Sequence, residues 1–488
     1  MFVAASMALC VMAANVRAEV PPATQPAAKD ISAQIDSLKA QLDQLQAKQQ
    51  ELDRQRQEQQ TSEQVAKDAQ RRDLLLDSGS FTTGYDENSH RFVVQSTDGN
   101  FTFRPWVHMQ VRDTTNYQEL PGTNKINNGI ELRRARFGFD GNLFSPDFQY
   151  FINWATYRNN ASQNVIGNAN DGALNGKVIG TVDQQIGGLP VLEECWFFTR
   201  LGDSDFWLRG GQMHDPLDHE NIVGSKIRYP EASLQGDIMG NTDTFTKAFT
   251  VAYNPYTNDN NPFHFEAGVN DGIRAANSDF REHFTTDHFY DYGVAGRVEY
   301  KAMGHWPDYN KLSASGAKQD LLVFGMGVDN SEAGLRDELS HTGDVEYINA
   351  KMGLMVYACY FGRYTRHNTG IPNGGPDTEN PPLAAPAKVQ DTYEPTFDVQ
   401  VAWLATPKLE PFGRFEYLHL QGTPAGSHND VTEISLGANY YIHDRNFMFT
   451  GQLMYLPNGI PINDTSADVL SNNGHGELVF IAQLQVLL

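Results

Sequence analysis

The sequence predicts an all-β fold, a 16-stranded antiparallel transmembrane β-barrel preceded by a short α-helical coiled coil. Three features carry that reading. From about residue 100, apolar residues recur at every second position, the period of a strand. The connections between these segments alternate long and short, as they do in membrane barrels. Ahead of them, apolar residues fall at alternating steps of four and three, the seam of a coiled coil.

The chain opens with an apolar stretch from Phe2 to Ala14, and small residues flank Arg17 before a cut after Ala18. Residues 1–18 read as a secretory signal peptide. Cys10 follows Leu9 rather than a small residue, so no lipoprotein site is expected. A linker over 19–30 carries Pro21, Pro22 and Pro26. Ile31, Ile35, Leu38, Leu42, Leu45 and Leu52 then mark the heptad seam, within a coiled coil expected over 31–76. A seam of about three heptads is marginal alone, so it is expected to assemble with copies of itself.

The barrel is expected over 80–488. Its strands read as 101–112, 130–140, 147–158, 191–201, 205–213, 245–253, 263–270, 289–301, 320–329, 344–350, 354–364, 394–405, 410–420, 431–442, 446–456 and 476–488. The long connections 159–190, 214–244 and 365–393 are rich in Asn, Gly, Asp and Pro, whereas 302–319 is long where a short turn is due. Alternation assigns the faces. Tyr292, Val294, Val298 and Tyr300 share one side of their strand, and Arg297, Glu299 and Lys301 the other. Apolar side chains are expected toward lipid and polar ones toward a wet lumen. In "GIELRRARFGFDG", Ala135, Phe137 and Phe139 then face lipid while Arg134 and Arg136 face the lumen. Arg133 has the wrong parity and must sit at an interface, snorkel or mark a bulge. Trp154, Tyr157, Trp207, Tyr440, Tyr441 and Tyr455 are expected in interfacial girdles.

Composition excludes other classes. No run of 18 apolar residues follows the N-terminus, so no helix spans a membrane. A net charge of −23 lacks the basic footprint that nucleic acid requires. No nucleophile elbow, zinc-protease, phosphate-loop or dinucleotide motif is present, so no enzyme and no cofactor is expected. Cys195 and Cys359 make no metal motif and read as buried or lipid-facing thiols, with a disulfide between them still open. His214, Asp215, Asp218, His219 and Glu220 invite a metal reading, but the His spacing is not a ligand pattern and Pro216 interrupts any helix, so no metal is expected.

Several stretches resemble the phosphate-selective porin O and P family. "ELRRARFGFDGNLF" resembles its arginine-rich strand and turn, and "GQMHDPLDHE" its Gly-Gln-x-x-x-Pro-x-x-x-Glu signature through Gly211, Gln212, Pro216 and Glu220. "FEAGVNDG" and the terminal "QLQVLL" resemble further family segments. His214 and Gln483 stand where the family usually has basic residues, and Leu488 replaces a terminal aromatic. The resemblance implies a trimeric outer-membrane porin with a constricting third loop and a cationic lumen passing phosphate-like anions.

An anion filter needs cations in narrow places, because salt screens distant charge within about 8–10 Å. On lumen parity these are Arg134, Arg136, Arg209, Arg297, Lys301 and Arg414. Arginine suits phosphate through its planar, bidentate donors. The competing reading pairs these cations with Glu131, Glu299 and Glu416, bracing the wall. The expected function is passive diffusion of small solutes, such as phosphate or polyphosphate, across the outer membrane of a Gram-negative-type cell, with the stalk in the periplasm. The alternative is a general or cation-preferring porin whose coiled coil tethers the outer membrane to the cell wall.

Overall fold

The computed structural model describes residues 48, 81–86, 91–156, 160–166, 178–185, 190–223, 233–240, 245–256, 258–273, 292–333, 336–368, 390–421, 429–461, 467–470 and 474–488. The expected signal peptide, linker and coiled coil lie outside them apart from Lys48, as does Tyr157. The chain divides after Ser80, and everything below concerns the second unit, Phe81–Leu488.

The strands in chain order are β1 (Phe81–Asp86), β2 (Arg91–Ser96), β3 (Thr102–Leu120), β4 (Thr123–Asn142), β5 (Phe148–Thr156), β6 (Asn160–Ile166), β7 (Val178–Gln185), β8 (Pro190–Arg200), β9 (Phe206–Met213) and β10 (Thr246–Tyr253). They continue as β11 (Phe263–Asn270), β12 (Tyr292–Met303), β13 (Leu321–Ala333), β14 (Arg336–Asn349), β15 (Leu354–Asn368), β16 (Gln390–Trp403), β17 (Leu409–His419), β18 (Asp430–His443), β19 (Phe447–Leu456) and β20 (Glu477–Leu487). Short helices α1 (His219–Ile222) and α2 (Trp306–Tyr309) interrupt two connections.

Sixteen strands, β3–β5 and β8–β20, pair antiparallel with their neighbours. The ring closes where β20 pairs with β3, from Glu477↔Gln118 to Leu487↔His108. A hairpin of β1 and β2 joins β3 over only two residues, and β6–β7 form a separate ribbon. Closure leaves the barrel no open edge.

All sixteen expected strands are present, but two connections read as loops are strand. β3 and β4 run on to Leu120 and Thr123, through residues 113–129. β14 starts at Arg336, well before 344. Both extensions are mostly polar, as in "TTNYQE" and "RDELSHTGD", so hydropathy does not alternate along them. Cross-strand hydrogen bonds hold the first, including Asn128 Nδ2–H to Thr115 Oγ1 at 2.7 Å.

The faces are inverted relative to a soluble protein. Val294, Val298, Met326, Val399, Leu436 and Phe480 are exposed on the outside. Arg297, Glu299, Asp344, Asp398, Glu416, Gln452 and Gln483 are buried inside. An apolar belt around a polar interior is the pattern of a transmembrane barrel. Tyr440 and Tyr455 lie on the belt, but Trp207 and Tyr441 do not: both are about 4% exposed and share the parity of the interior.

The three-arginine strand resolves as a bulge. Arg134 pairs with Gln110 and Leu132 with Val111, leaving Arg133 as the extra residue of β4. A bulge absorbs one residue and restores alternation beyond it. Leu132 and Ile130 therefore face out, and Arg134 and Arg136 face in.

Deleting Arg133 should remove the bulge and leave every other side chain on its face, at a cost within about 1 kcal/mol. Deleting Ala135 should consume the bulge and push Arg134 onto the lipid face, at about 2–4 kcal/mol if near the bilayer centre. Urea unfolding in lipid vesicles compares the two, and equal costs would contradict this register.

Candidate functional site

Two long connections fold back into the barrel and pack against the wall formed by β12–β20. The first is the long β9–β10 connection. Just before it, near the end of β9, stands Gly211, whose φ of 135° favours glycine and whose absent Cβ would meet the Cys195 carbonyl at 2.1 Å. Gln212 Nε2–H donates to the carbonyls of Leu192 and Glu193 at 3.0 and 2.8 Å, tying β9 to β8. His214 packs against Phe245, and Pro216 is buried where the chain turns inward. Glu220 accepts from the backbone N–H of Ser233 at 2.9 Å and from its hydroxyl at 2.6 Å, joining the two limbs of the segment.

The inserted segment is seated by charge and by apolar contact. Glu416 on β17 accepts the N–H groups of Leu234 and Gln235 at 2.9 and 2.7 Å. Leu234, Ile238 and Met239 are buried in one cluster with Phe361, Leu418, Val431, Met454 and Ile481 of the wall. The Leu217 carbonyl accepts from Thr342 Oγ1 at 2.7 Å, and a Cβ at Gly327 would lie 2.0 Å from it. His219 meets Glu346 at 3.1 Å and stacks on Tyr309, ring centroids 3.8 Å apart.

Tyr309 belongs to the second insertion, residues 304–320 between β12 and β13. This connection is long because it is a plug. Trp306, Tyr309, Leu312 and Ala314 are buried against Leu321, Val323, Met355, Tyr357 and Phe412. Its entry is held by Asp259, which accepts from Lys301 Nζ–H at 2.6 Å and the Trp306 N–H at 2.9 Å and contacts His305. Burial raises the Asp259 pKa, but these bonds outweigh it and bring the carboxyl down to about 2.

The expected cations therefore have distinct settings. Arg297 is bidentate with Asp344 at 2.8 Å to each oxygen, and its Nε lies 2.6 Å from Glu299. The carboxylates and Arg297 fill the space over Gly325, where a Cβ would meet the guanidinium at 2.1 Å. Arg414 sits between Glu416 and Glu433 at 2.9 and 3.1 Å. Lys301 serves the plug. Arg297 and Arg414 lie in buried ion pairs on the filled side, whereas the partner of Lys301, Asp259, is partly exposed.

Arg134, Arg136 and Arg209 lie on the opposite wall. Arg134 donates to Gln110 Oε1 at 2.9 Å. Arg136 meets Glu193 at 2.7 Å, and Glu193 is itself the bulged residue of β8. Arg209 is 3.7 Å from Glu266. Two further buried arginines point inward that the sequence reading did not single out. Arg112 is held by Gln483 Oε1 at 2.8 Å and Asp468 at 3.0 Å, and Arg363 by Glu394 at 2.6 Å. The alternation of His108, Gln110 and Arg112 could have revealed the first. Among the described residues, partial exposure inside the barrel is concentrated on this wall, at Glu131, Phe151, Glu194, Trp196 and Arg209.

Among the described residues, no cluster of His, Cys, Asp and Glu has the makings of a metal site. Cys195 and Cys359 are both free thiols.

No family model matches the chain, and no curated protein matches it. Solved structures do. An anion-selective porin from Comamonas acidovorans aligns at TM-score 0.47 and 11% identity, over 79% of this chain and 99% of that one. Salmonella typhi OmpF in complex with daunomycin aligns at 0.46 and 12%, over 79% and 98%. Pseudomonas putida OprB at high pH aligns at 0.45 and 10%, over 79% and 94%. The barrel assignment rests on the strand pairing of this chain.

Asp218, at the start of α1, links the inserted segment to pH. Burial first, then Glu220 and Asp344, push its pKa up to about 7 against the pull of Arg297 and His219. Released into water it would return toward 3.8. The seated state thus holds the proton more tightly, so seating is strongest below about pH 4, weakens through about pH 7 and then levels off. Asp218→Asn mimics the protonated form. Its melting temperature should match the parent at pH 3 and exceed it at pH 8; a pH-independent gap would refute the linkage.

Proposed function

We propose that this chain is an outer-membrane porin that passes small solutes, with anions such as phosphate or polyphosphate preferred, along the wall formed by β3–β5 and β8–β11. One observation carries the proposal: among the described residues, the inserted segments pack against the carboxylate-rich side, and partial exposure inside the barrel falls on the wall that bears Arg209 and the buried Arg134 and Arg136. Cations in a narrow, partly desolvated passage act on a passing ion far more strongly than charges in bulk salt. Their partners Gln110, Glu193 and Glu266 hold them in place while tempering their pull. Moderate sites suit conduction, since a tight one would trap the ion.

Arg297, Lys301 and Arg414 then brace the filled half, with the motif Gly211, Gln212, His214, Pro216 and Glu220 steering the constricting segment. By the family resemblance, we also propose a homotrimer in the outer membrane of a Gram-negative-type cell, with the coiled coil in the periplasm and within reach of the cell wall. A second reading, a general or cation-preferring pore, draws on the excess of interior carboxylates, including Glu220, Glu346 and Asp398.

Planar-bilayer recording under a KCl gradient separates the two. The reversal potential should favour chloride, added phosphate should reduce the chloride current, and Arg134→Ala with Arg136→Ala should weaken both effects. Cation preference without phosphate block would overturn the anion proposal in favour of the second reading.

A further inference from the structure

Outside the barrel, at its short-turn end, the β1–β2 hairpin overhangs the apolar belt. β20 stops pairing with β3 at Leu487↔His108, and Leu488 closes that ladder through two backbone hydrogen bonds with Val107, at 2.9 and 3.0 Å. Beyond this point β2 takes the same edge of β3, but only through Val94↔Phe103 and Gln95↔Thr102. The hairpin then parts from the wall. Two contacts hold it: Phe81 against Phe101, ring centroids 5.6 Å apart, and Arg91 with Asp140. Asp140 also accepts from Arg104 Nε–H at 2.6 Å.

The parting leaves a groove of about 930 Å³, near the upper end of the roughly 300–1,000 Å³ typical of small-molecule sites. Tyr85 and Phe92, opposite one another in the hairpin, form one side. Val107, Phe137, Phe447 and Val486, from four strands of the belt, form the other. These faces are open: Tyr85 is 60% exposed, Phe92 52%, Phe137 41% and Val107 39%. The polar members, His443 and Asn446, stand where β18 turns into β19. Arg104, partly exposed, adjoins Pro105 of the lining.

The belt lies in lipid, where apolar surfaces gain nothing hydrophobic from meeting, so packing contact decides what stays bound. A smooth belt touches a hydrocarbon chain along one side, and this groove touches it along two. At its polar end, the N–H groups of His443, Asn446 and Arg104 suit the ester and phosphate oxygens of a lipid head. Asp86, across from Arg91 in the hairpin, adds a carboxylate beside the cations. Both signs together suit a head that carries both. A second barrel presents a broad wall that the overhang keeps out, whereas a flexible chain enters end-on.

We propose that this groove binds one zwitterionic phospholipid, its acyl chain between hairpin and belt and its head at the short turns. The proposal rests on the outer-membrane reading above, which makes the adjoining leaflet the periplasmic one.

Native mass spectrometry tests it on the full chain, delipidated in detergent and then titrated with palmitoyl-oleoyl phosphatidylethanolamine. One lipid per chain should bind saturably. Val107→Trp fills the groove from an outward-facing position and should weaken binding by about tenfold or more, as overfilling a packed site does. Val294→Trp, outward on β12 and away from the groove, should leave it unchanged. Heat-dependent gel mobility checks folding. Tyr85→Ser with Phe92→Ser, outside the ring of sixteen strands, serves if Val107→Trp does not fold, with a similar loss expected. No saturable binding, equal loss in Val294→Trp, or unchanged binding in a folded groove variant would overturn the site. A change in oligomer mass in place of lipid loss would make this face an interface between copies and overturn it too. Conductance separates the two proposals: a conducting barrel that binds no lipid removes the groove alone, and a lipid-binding barrel that never conducts removes the channel reading.

Discussion

Lipid offers no hydrogen bonds, so every backbone N–H and C=O crossing a membrane must find its partner within the protein. In this chain that constraint is met when β20 pairs with β3 and the sheet closes. The inverted faces follow from it. A closed sheet in lipid turns its apolar residues outward, and the polar residues left inside must then satisfy one another. Arg297 with Asp344 and Glu299, and Arg414 with Glu416 and Glu433, are products of that demand. Removing one member of such a group strands a buried charge, which costs more than the pair contributes.

The interior is filled unevenly among the described residues. Segments from both ends insert on the β12–β20 side and meet where His219 stacks on Tyr309. Glycines 325 and 327 on β13 clear the space that the Arg297 group and the Leu217 carbonyl occupy. The opposite wall carries Arg134, Arg136 and Arg209, each held by a neighbouring side chain. The carboxylate-rich wall supports the inserted segments, as Glu416 does for Leu234 and Gln235.

Parity was legible in the sequence because the lipid belt imposes it: Val294 and Val298 outside, Arg297 and Glu299 inside, as alternation requires. The bulge at Arg133 was one of three solutions to a parity fault, and only the pairing across to β3 selects it. Strand ends beyond the belt were not legible, since nothing there forces alternation, and so the β3–β4 hairpin and the start of β14 read as loop. The plug at 304–320 announced itself only as a turn of the wrong length. Ion-pair partners were hidden for a different reason: Arg112 and Gln483 are 371 positions apart and meet only at closure. Trp207 and Tyr441 misled because an aromatic near a strand end fits a girdle or an interior equally well.

The central claim is that the β9–β10 segment sits inside the barrel against β15, and one residue tests it directly. Asp218 Oδ1 lies 4.0 Å from the thiol of Cys359. In protein folded in lipid, Asp218→Cys should give a disulfide with Cys359 on mild oxidation, identified by peptide mapping without reduction. Full alkylation of both thiols in the folded barrel, with no such linked peptide, would contradict the account.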